Sequence, residues 1–180
     1  ATVADARWML GSALADPDPV LIFEHNGLYN TTGDPGTTEV DLDSAVVRRP
    51  GNDLTVVASA GMVPKALQAA DQLDGAGISA EVIDLRSLRP LDRSTLAASV
   101  ERTHRALVVD EGWRSGGLSA EIAASITEAC FYTLDAPVAR VAAVEVPIPY
   151  PRHLEEAAIP GVGDIHNAAV ALLSGELIHA

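Results

Sequence analysis

The sequence predicts a three-layer α/β/α fold around a mostly parallel sheet. Short apolar segments of strand length alternate with amphipathic helical segments, at about 25 to 30 residues for each strand–helix unit. The strand segments are continuous apolar runs, which is typical of strands covered on both faces. Apolar residues make up 48% of the 180 residues and charged residues 21%, as in a globular protein.

The start of the chain predicts one helix followed by one short strand. Val3, Ala6 and Leu10 lie at helical spacing, and an Asp-Pro-Asp-Pro run ends that pattern. Residues 20–23 are apolar throughout and predict a buried strand. Residues 26–43 are polar, carry several glycines and show no period, so we interpret them as an interdomain linker.

From residue 54 onward, strands and helices alternate regularly. The predicted strands are residues 54–58, 80–83, 106–109 and 138–141. The predicted helices are residues 63–73, 91–100 and 118–130. Asp164 is expected to cap one more helix near the end of the chain.

The composition excludes several classes of protein. There are 12 Lys+Arg against 25 Asp+Glu, which gives a net charge of −13, and no basic stripe suits a nucleic acid. No apolar run approaches the ~20 residues of a membrane-spanning helix. The single cysteine, Cys130, excludes an intrachain disulfide. We expect basic partners.

The chain begins without a methionine or a readable signal peptide. We therefore expect it to be part of a longer protein. The acidic composition, rich in Ala and Asp, suggests a bacterial cytoplasmic location.

Charged residues follow the predicted strands, at the edge where open α/β sheets bind ligands. Arg86 and Arg89 would suit a clamp for a carboxylate or phosphate, or would pair with local acids or with a partner chain. Asp84, Asp110 and Glu111 offer carboxylates for acid–base chemistry, although acids are common in this chain. No phosphate-binding or nucleophile motif accompanies them, so they do not assemble an active site.

Two further features can be interpreted either as functional or as purely structural. The pair Gly116-Gly117 opens a helix, where it would hold an anion or simply allow a close turn. The histidines show no zinc-binding spacing. They are His25, His104, His153, His166 and His179.

The end of the first helix offers oxygen ligands for a cation. The carbonyls of Ala13 and Leu14 have no partner within the helix and lie at the negative end of its dipole. Asp16 and Asp18 follow directly. Solvated acids after a helix are the alternative reading.

Motifs spread along nearly the whole chain resemble one family, in that family's order. They include Glu24-His25-Asn26-Gly27, Ile83-Asp84-Leu85-Arg86-Ser87-Leu88-Arg89-Pro90, Asp110-Glu111-Gly112, Gly116-Gly117-Leu118-Ser119, Leu134-Asp135-Ala136-Pro137, Pro147-Ile148-Pro149-Tyr150 and Leu154-Glu155-Glu156-Ala157-Ala158-Ile159-Pro160. As a set they resemble the beta subunit of thiamine-diphosphate-dependent 2-oxo acid dehydrogenases, and most closely the pyruvate dehydrogenase type.

The resemblance implies a division into domains. Residues 1–25 would be the last helix and strand of the pyrimidine-binding domain, residues 26–43 a linker, and residues 44–180 a transketolase C-terminal-like domain. The glutamate that activates thiamine diphosphate would precede residue 1, and the alpha subunit would hold the diphosphate and Mg²⁺. We therefore expect no catalytic and no cofactor-binding residue in this chain, and no activity from it alone.

Two sites are implied within the chain. A potassium ion would take oxygens from Ala13, Leu14, Asp16 and Asp18. Asp135 would contact the basic subunit-binding domain of the dihydrolipoyl acyltransferase, and the chain end at residues 178–180 would add contacts there. The alternative is that Asp135 merely caps a turn.

The intact enzyme implied by the resemblance decarboxylates pyruvate and passes the acetyl group to a lipoyl group. Its further partners would be the alpha subunit and a second beta subunit, in a heterotetramer. The alternatives are a branched-chain 2-oxo acid or acetoin dehydrogenase, a single-chain transketolase-like synthase, and a freestanding module that binds a small anion. An exposed apolar patch would favour the readings in which the chain is part of a larger enzyme over the freestanding module.

Overall fold

A computed structural model describes residues 1–37 and 40–175. Within these residues, one sheet has the strand order β1-β3-β2-β4-β5. The strands are β1 (Val46–Arg49), β2 (Leu54–Ala58), β3 (Ala80–Asp84), β4 (Ala106–Trp113) and β5 (Ala139–Ala143). The helices are α1 (Val3–Ala15), α2 (Met62–Asp74), α3 (Arg93–Thr103), α4 (Leu118–Cys130), α5 (Arg152–Ala158) and α6 (Val162–Ser174).

The predicted fold class is confirmed. β2 pairs in parallel with β3 and β4, and β4 pairs in parallel with β5. Among the strands of the described residues, only the edge strand β1 pairs antiparallel, with β3. Helices α2 and α6 pack on one face of the sheet and α3 and α4 on the other, which gives two apolar clusters separated by the sheet.

Burial explains why the inner strands could be predicted. Every residue of β2 and of β3 is buried. A strand covered on both faces must be apolar at nearly every position, and this makes it conspicuous in the sequence. β1 was missed because it is a half-exposed edge strand that ends in two arginines. α5 was missed because it is short and mostly exposed.

The strand predicted at residues 20–23 does not form. Its four side chains, Val20, Leu21, Ile22 and Phe23, are 45%, 84%, 53% and 91% exposed. No strand of the described residues lies beside it, so its backbone groups have no ladder to join.

Both helices at the ends of the described chain, α1 and α6, were predicted, and the structure shows how each begins. α1 forms as predicted, with Thr2 as its N-cap and Asp5 completing a capping box. Asp164 caps α6 from its first turn and not from the N-cap position, which is Gly161; the Asp164 carboxylate accepts a hydrogen bond of 2.8 Å from the Gly161 amide.

Residues 26–43 contain one 3₁₀ turn at Asn26–Leu28 and otherwise no helix or strand in their described part. Their role as an interdomain linker stays a prediction. Every helix within residues 1–37 and 40–175 is too short or too polar to cross a membrane.

Candidate functional site

The strand order locates the ligand-binding edge that this kind of sheet offers. After β2 the chain passes through α2 to β3 on one side, and it then crosses to β4 on the other side of β2. The helices that follow β2 and β4 lie on opposite faces. The carboxyl ends of β2 and β4 are therefore a topological switch point, where open α/β sheets bind ligands.

Four charged side chains meet at this edge, and we call them the edge cluster: Asp5, Arg48, Asp84 and Arg86. Asp84 ends β3, and its Oδ2 accepts bonds from Arg48 Nε at 3.1 Å and Nη2 at 2.8 Å. Asp5 comes from α1, and its Oδ1 accepts from Arg86 Nε at 3.0 Å while its Oδ2 accepts from Arg48 Nη2. Both carboxylates are buried, with exposed fractions of 2% for Asp5 and 0% for Asp84.

The protonation state of Asp5 follows from these contacts and from its role in the helix cap. Burial acts to raise the pKa of the Asp5 carboxyl, but hydrogen bonds from the N-terminal ammonium and from Thr2 outweigh that effect. The pKa is held well below its ordinary value, so Asp5 is a carboxylate at neutral pH.

The edge cluster decides between the two readings of the arginines. Arg86 binds a local acid, Asp5. The second arginine that binds this acid is Arg48 and not Arg89. Arg89 is exposed. The sequence could not indicate Arg48, because 36 residues separate it from Asp84 and it lies on the one strand that was missed.

His25 covers the switch point itself. Its Nε2 lies 3.1 Å from Glu111 Oε2 on β4. Its ring also lies against Gly61 at the start of α2, where a Cβ would come within 2.6 Å of Nε2. His25 Nδ1 is buried and has no hydrogen-bond partner within the described ranges. The crevice is therefore filled by the chain's own residues.

The opening of α4 has an internal carboxylate as well. Asp110 accepts hydrogen bonds from the amides of Gly112 at 3.0 Å and Ser119 at 3.1 Å. At Gly117 a Cβ would lie 1.9 Å from the carbonyl oxygen of Trp113. The glycine pair thus allows a close turn, and Asp110 occupies the position that an external anion would take.

The residues predicted to hold potassium lie together at the end of α1. The Asp16 amide donates to Ser12 O at 3.2 Å, and the Asp18 amide donates to Asp16 Oδ1 at 2.9 Å. Leu14, Asp16 and Asp18 are exposed, and Ala13 is half-buried. No group of three or more acidic, His or Cys side chains within residues 1–37 and 40–175 suits a metal ion. The potassium site stays a prediction.

Asp135 lies on the surface beyond α4, away from the edge cluster. Its carboxylate Oδ2 is 3.3 Å from Arg105 Nη2, and its side chain is 52% exposed. Its amide donates to the carbonyl of His104 at 2.9 Å, which fixes the turn before Pro137. Residues 178–180, which were expected to add contacts here, lie outside the described residues.

One groove among the described residues can be compared with thiamine diphosphate, and it does not fit. A groove of about 620 Å³ lies where β2 and β3 begin, lined among others by Pro50, Asn52 and Ser79. The positively charged residue that lines this groove, Arg102, is already paired with the buried Glu81. Among the described residues, the lining of the groove therefore has no unpaired positive charge that could bind a diphosphate. No step is derived through the cofactor in this chain.

Comparison with known proteins gives the family. The model for the transketolase C-terminal domain matches residues 43–165. The mitochondrial pyruvate dehydrogenase E1 component subunit beta-2 of Oryza sativa subsp. japonica is 48% identical over 173 residues, which are 92% of this chain and 46% of the relative. The mitochondrial subunit beta of Drosophila melanogaster is 45% identical over 180 residues, which are 96% of this chain and 49% of the relative.

A solved structure agrees with these relatives. A split gene transketolase, described as an inactive beta4 tetramer, aligns with a TM-score of 0.74 and 27% identity over 97% of this chain and 55% of that chain. The chain spans about half the length of the curated relatives it matches.

These names also correct one prediction. The expected bacterial cytoplasmic location is wrong, because the rice and fruit fly relatives are both mitochondrial proteins. An acidic composition reports on solubility and charge, not on the compartment. The predicted family, in contrast, is confirmed: the chain belongs to the transketolase C-terminal domain family and is similar, within it, to the beta subunits of pyruvate dehydrogenase.

Proposed function

We propose that this chain is the C-terminal portion of the beta subunit of a thiamine-diphosphate-dependent pyruvate dehydrogenase. The observation that carries this proposal is the identity of 45% to 48% to such beta subunits over more than nine-tenths of the chain. The intact enzyme would oxidatively decarboxylate pyruvate and transfer the acetyl group to lipoyl groups.

Within that enzyme, this portion serves assembly and docking. His25 covers the switch point, Asp5 occupies the carboxyl end of β3, and the groove near Arg102 does not suit a diphosphate. Residues 1–25 are proposed to belong to the preceding pyrimidine-binding domain, residues 26–43 to a linker and residues 44–180 to the transketolase C-terminal-like domain. Thiamine diphosphate and Mg²⁺ are held by other parts of the enzyme, and potassium by the end of α1.

The proposed partners are the alpha subunit, a second beta subunit and the subunit-binding domain of the dihydrolipoyl acyltransferase. For the last of these, Asp135 offers an exposed carboxylate whose only ion pair in the described residues is with Arg105 on the surface. A surface pair of this kind contributes about 0 to 1 kcal/mol, so an arginine or lysine of the partner can displace Arg105 at little cost. The net charge of −13 steers a basic domain toward the chain.

The test is calorimetric titration of the chain with the subunit-binding domain at low and at moderate salt. We expect binding that weakens with salt, and a loss of about tenfold or more in affinity for Asp135→Ala. Asp71→Ala is the matched control, because Asp71 is also an exposed acid paired with an arginine, Arg49, but lies on α2. It should bind like the wild type.

Each outcome separates two parts of the proposal. No binding at low salt, with both proteins folded, would contradict the docking function. Binding that is equal in Asp135→Ala and in the wild type would retain docking but remove Asp135 from the interface.

A further inference from the structure

The contact between α1 and the α/β body has an unusual composition. α1 is a 13-residue helix, and Asp5 is its only buried residue. Leu10 and Leu14 on the same helix are 48% and 77% exposed. A helix of a globular domain ordinarily packs through an apolar stripe. In α1 the one fully buried side chain is instead a carboxylate, while Val3, Trp8 and Met9 are half-buried.

The body presents two donors to that carboxylate. Arg48 on β1 and Arg86 after β3 each contact a different oxygen of Asp5, with Arg86 Nε 3.0 Å from Oδ1. The two arginine side chains are only 17% and 13% exposed. Recognition of both oxygens is the geometry by which arginines select a carboxylate over a spherical anion.

Positive charge is in excess at this edge when Asp5 is absent. Arg48, Arg86 and the Ala1 ammonium bring three positive charges, and the ammonium lies 2.8 Å from Asp5 Oδ2 and 3.3 Å from Asp84 Oδ2. Asp84 brings one negative charge, so Asp5 is needed to neutralise a second positive charge. A positive charge left unpaired in a mostly buried position is costly. The carboxyl edge of a parallel sheet is also where ligands of this fold bind.

We propose that Arg48 and Arg86 form a carboxylate-binding site at the carboxyl end of β3, and that Asp5 occupies it as a tethered ligand that docks α1. Between α1 and β1, the described residues contain one 3₁₀ turn and no strand or α-helix. Besides this site, the Ala1 ammonium contacts Asp84 Oδ2 at 3.3 Å and Arg7 Nη1 donates to the Gly36 carbonyl at 2.9 Å, so the site is one of several contacts that hold α1. When the Asp5 carboxylate is removed, a small free carboxylate takes its place.

The experiment uses Asp5→Ala in this chain, with thermal unfolding followed by circular dichroism. We expect the midpoint to fall by roughly 5 to 15 °C relative to the wild type. Sodium acetate at about 100 mM should raise the midpoint of the variant by several degrees in a saturable way, while sodium chloride at equal ionic strength should not. Inorganic phosphate is the third arm and reports whether the site also takes a tetrahedral oxyanion.

Trp8 gives a readout that separates ligand binding from general stabilisation by salt. It lies in α1, so its fluorescence in a Trp113→Phe background follows the docking of the helix. In Asp5→Ala, acetate should restore the midpoint without restoring the wild-type emission of Trp8, because the free carboxylate fills the site and leaves α1 undocked. A return of both would contradict the tethered-ligand model.

Two further variants keep the proposal falsifiable. Asp5→Ala combined with Arg86→Ala should lose the acetate response, and Asp71→Ala, which removes an exposed acid from α2, should show none. If Asp5→Ala does not fold, Asp5→Asn takes its place, since the amide keeps the shape and loses the charge. Equal effects of acetate and chloride on whichever variant folds, or an acetate response that survives Arg86→Ala, would overturn the proposal.

Discussion

Two short segments of this chain are similarly apolar, but one forms a buried strand and the other is exposed and forms no strand. β2 (Leu54–Ala58) is buried at every position and pairs on both sides, with Val56 opposite Val82 of β3 and Leu107 of β4. Residues 20–23 are apolar at every position, yet pair with no strand among the described residues and expose between 45% and 91% of each side chain.

The difference lies in the neighbours and not in the segments. A strand is stable only when adjacent strands supply partners for its amides and carbonyls and cover its side chains. β2 has such neighbours because α2 and α3 return the chain to either side of it. An apolar run therefore predicts that burial is favourable, but the rest of the fold decides whether burial takes place.

The largest expected effect tests this comparison directly with a pair of leucines. Leu54 is 0% exposed and Leu21 is 84% exposed. Leu54→Ala removes buried side-chain volume and should lower the free energy of unfolding by about 2 to 5 kcal/mol. Leu21→Ala should change it by less than about 0.5 kcal/mol. Urea unfolding of the two variants and the wild type measures both values, and comparable losses would show that residues 20–23 are packed in solution.

The same comparison explains how much could be predicted from the sequence. Strands β2 to β5 and helices α2 to α4 were predicted to within about four residues at each end, because periodicity and burial are local properties. The edge cluster was predicted only in part. Asp84 and Arg86 lie beside each other at a strand end, whereas Asp5 and Arg48 join them from 81 and 36 residues away.

Asp135 shows the same limit of prediction from sequence. Asp135 was identified from a motif, but its pairing with Arg105 depends on how α3 ends beside the segment that follows α4. No local pattern in the sequence encodes that contact. Spatial pairs of distant residues become predictable only once the strand order is known.

A smaller effect is expected where the irregular segment meets the α/β body. Asp92 caps α3 by accepting from the Thr95 amide at 3.0 Å, and it also accepts from the Ala45 amide at 3.0 Å. Burial acts to raise its pKa, but these bonds and those from the hydroxyls of Thr95 and Ser94 lower the pKa from 3.8 to about 2. Because the folded pKa is depressed, Asp92 stabilises the fold fully above pH 4 and loses that effect as the pH falls toward 2.

Asp92→Ala should therefore cost about 1 kcal/mol at pH 7, the usual value of a helix cap. The difference between the variant and the wild type should shrink when unfolding is measured at pH 3. Asp164→Ala is the matched control, since Asp164 is also an acid at the start of a helix, in the first turn of α6, and is exposed. A difference for Asp92→Ala that stays constant between pH 7 and pH 3 would mean that the carboxylate charge does not matter to the cap.

The smallest effect on stability is expected for a substitution of Phe23. This substitution tests directly whether residues 20–23, unlike β2, are exposed in solution. Phe23 is 91% exposed, so Phe23→Ser should leave the free energy of unfolding within about 0.5 kcal/mol of the wild type. The same substitution should reduce the binding of an apolar fluorescent dye, because Phe23 belongs to a run of four exposed apolar residues. Tyr132→Ser, which changes a 97% exposed aromatic residue outside that run, should reduce it less. Equal dye binding by all three proteins would show that residues 20–23 are covered in solution, and the contrast with β2 would then be one of pairing alone.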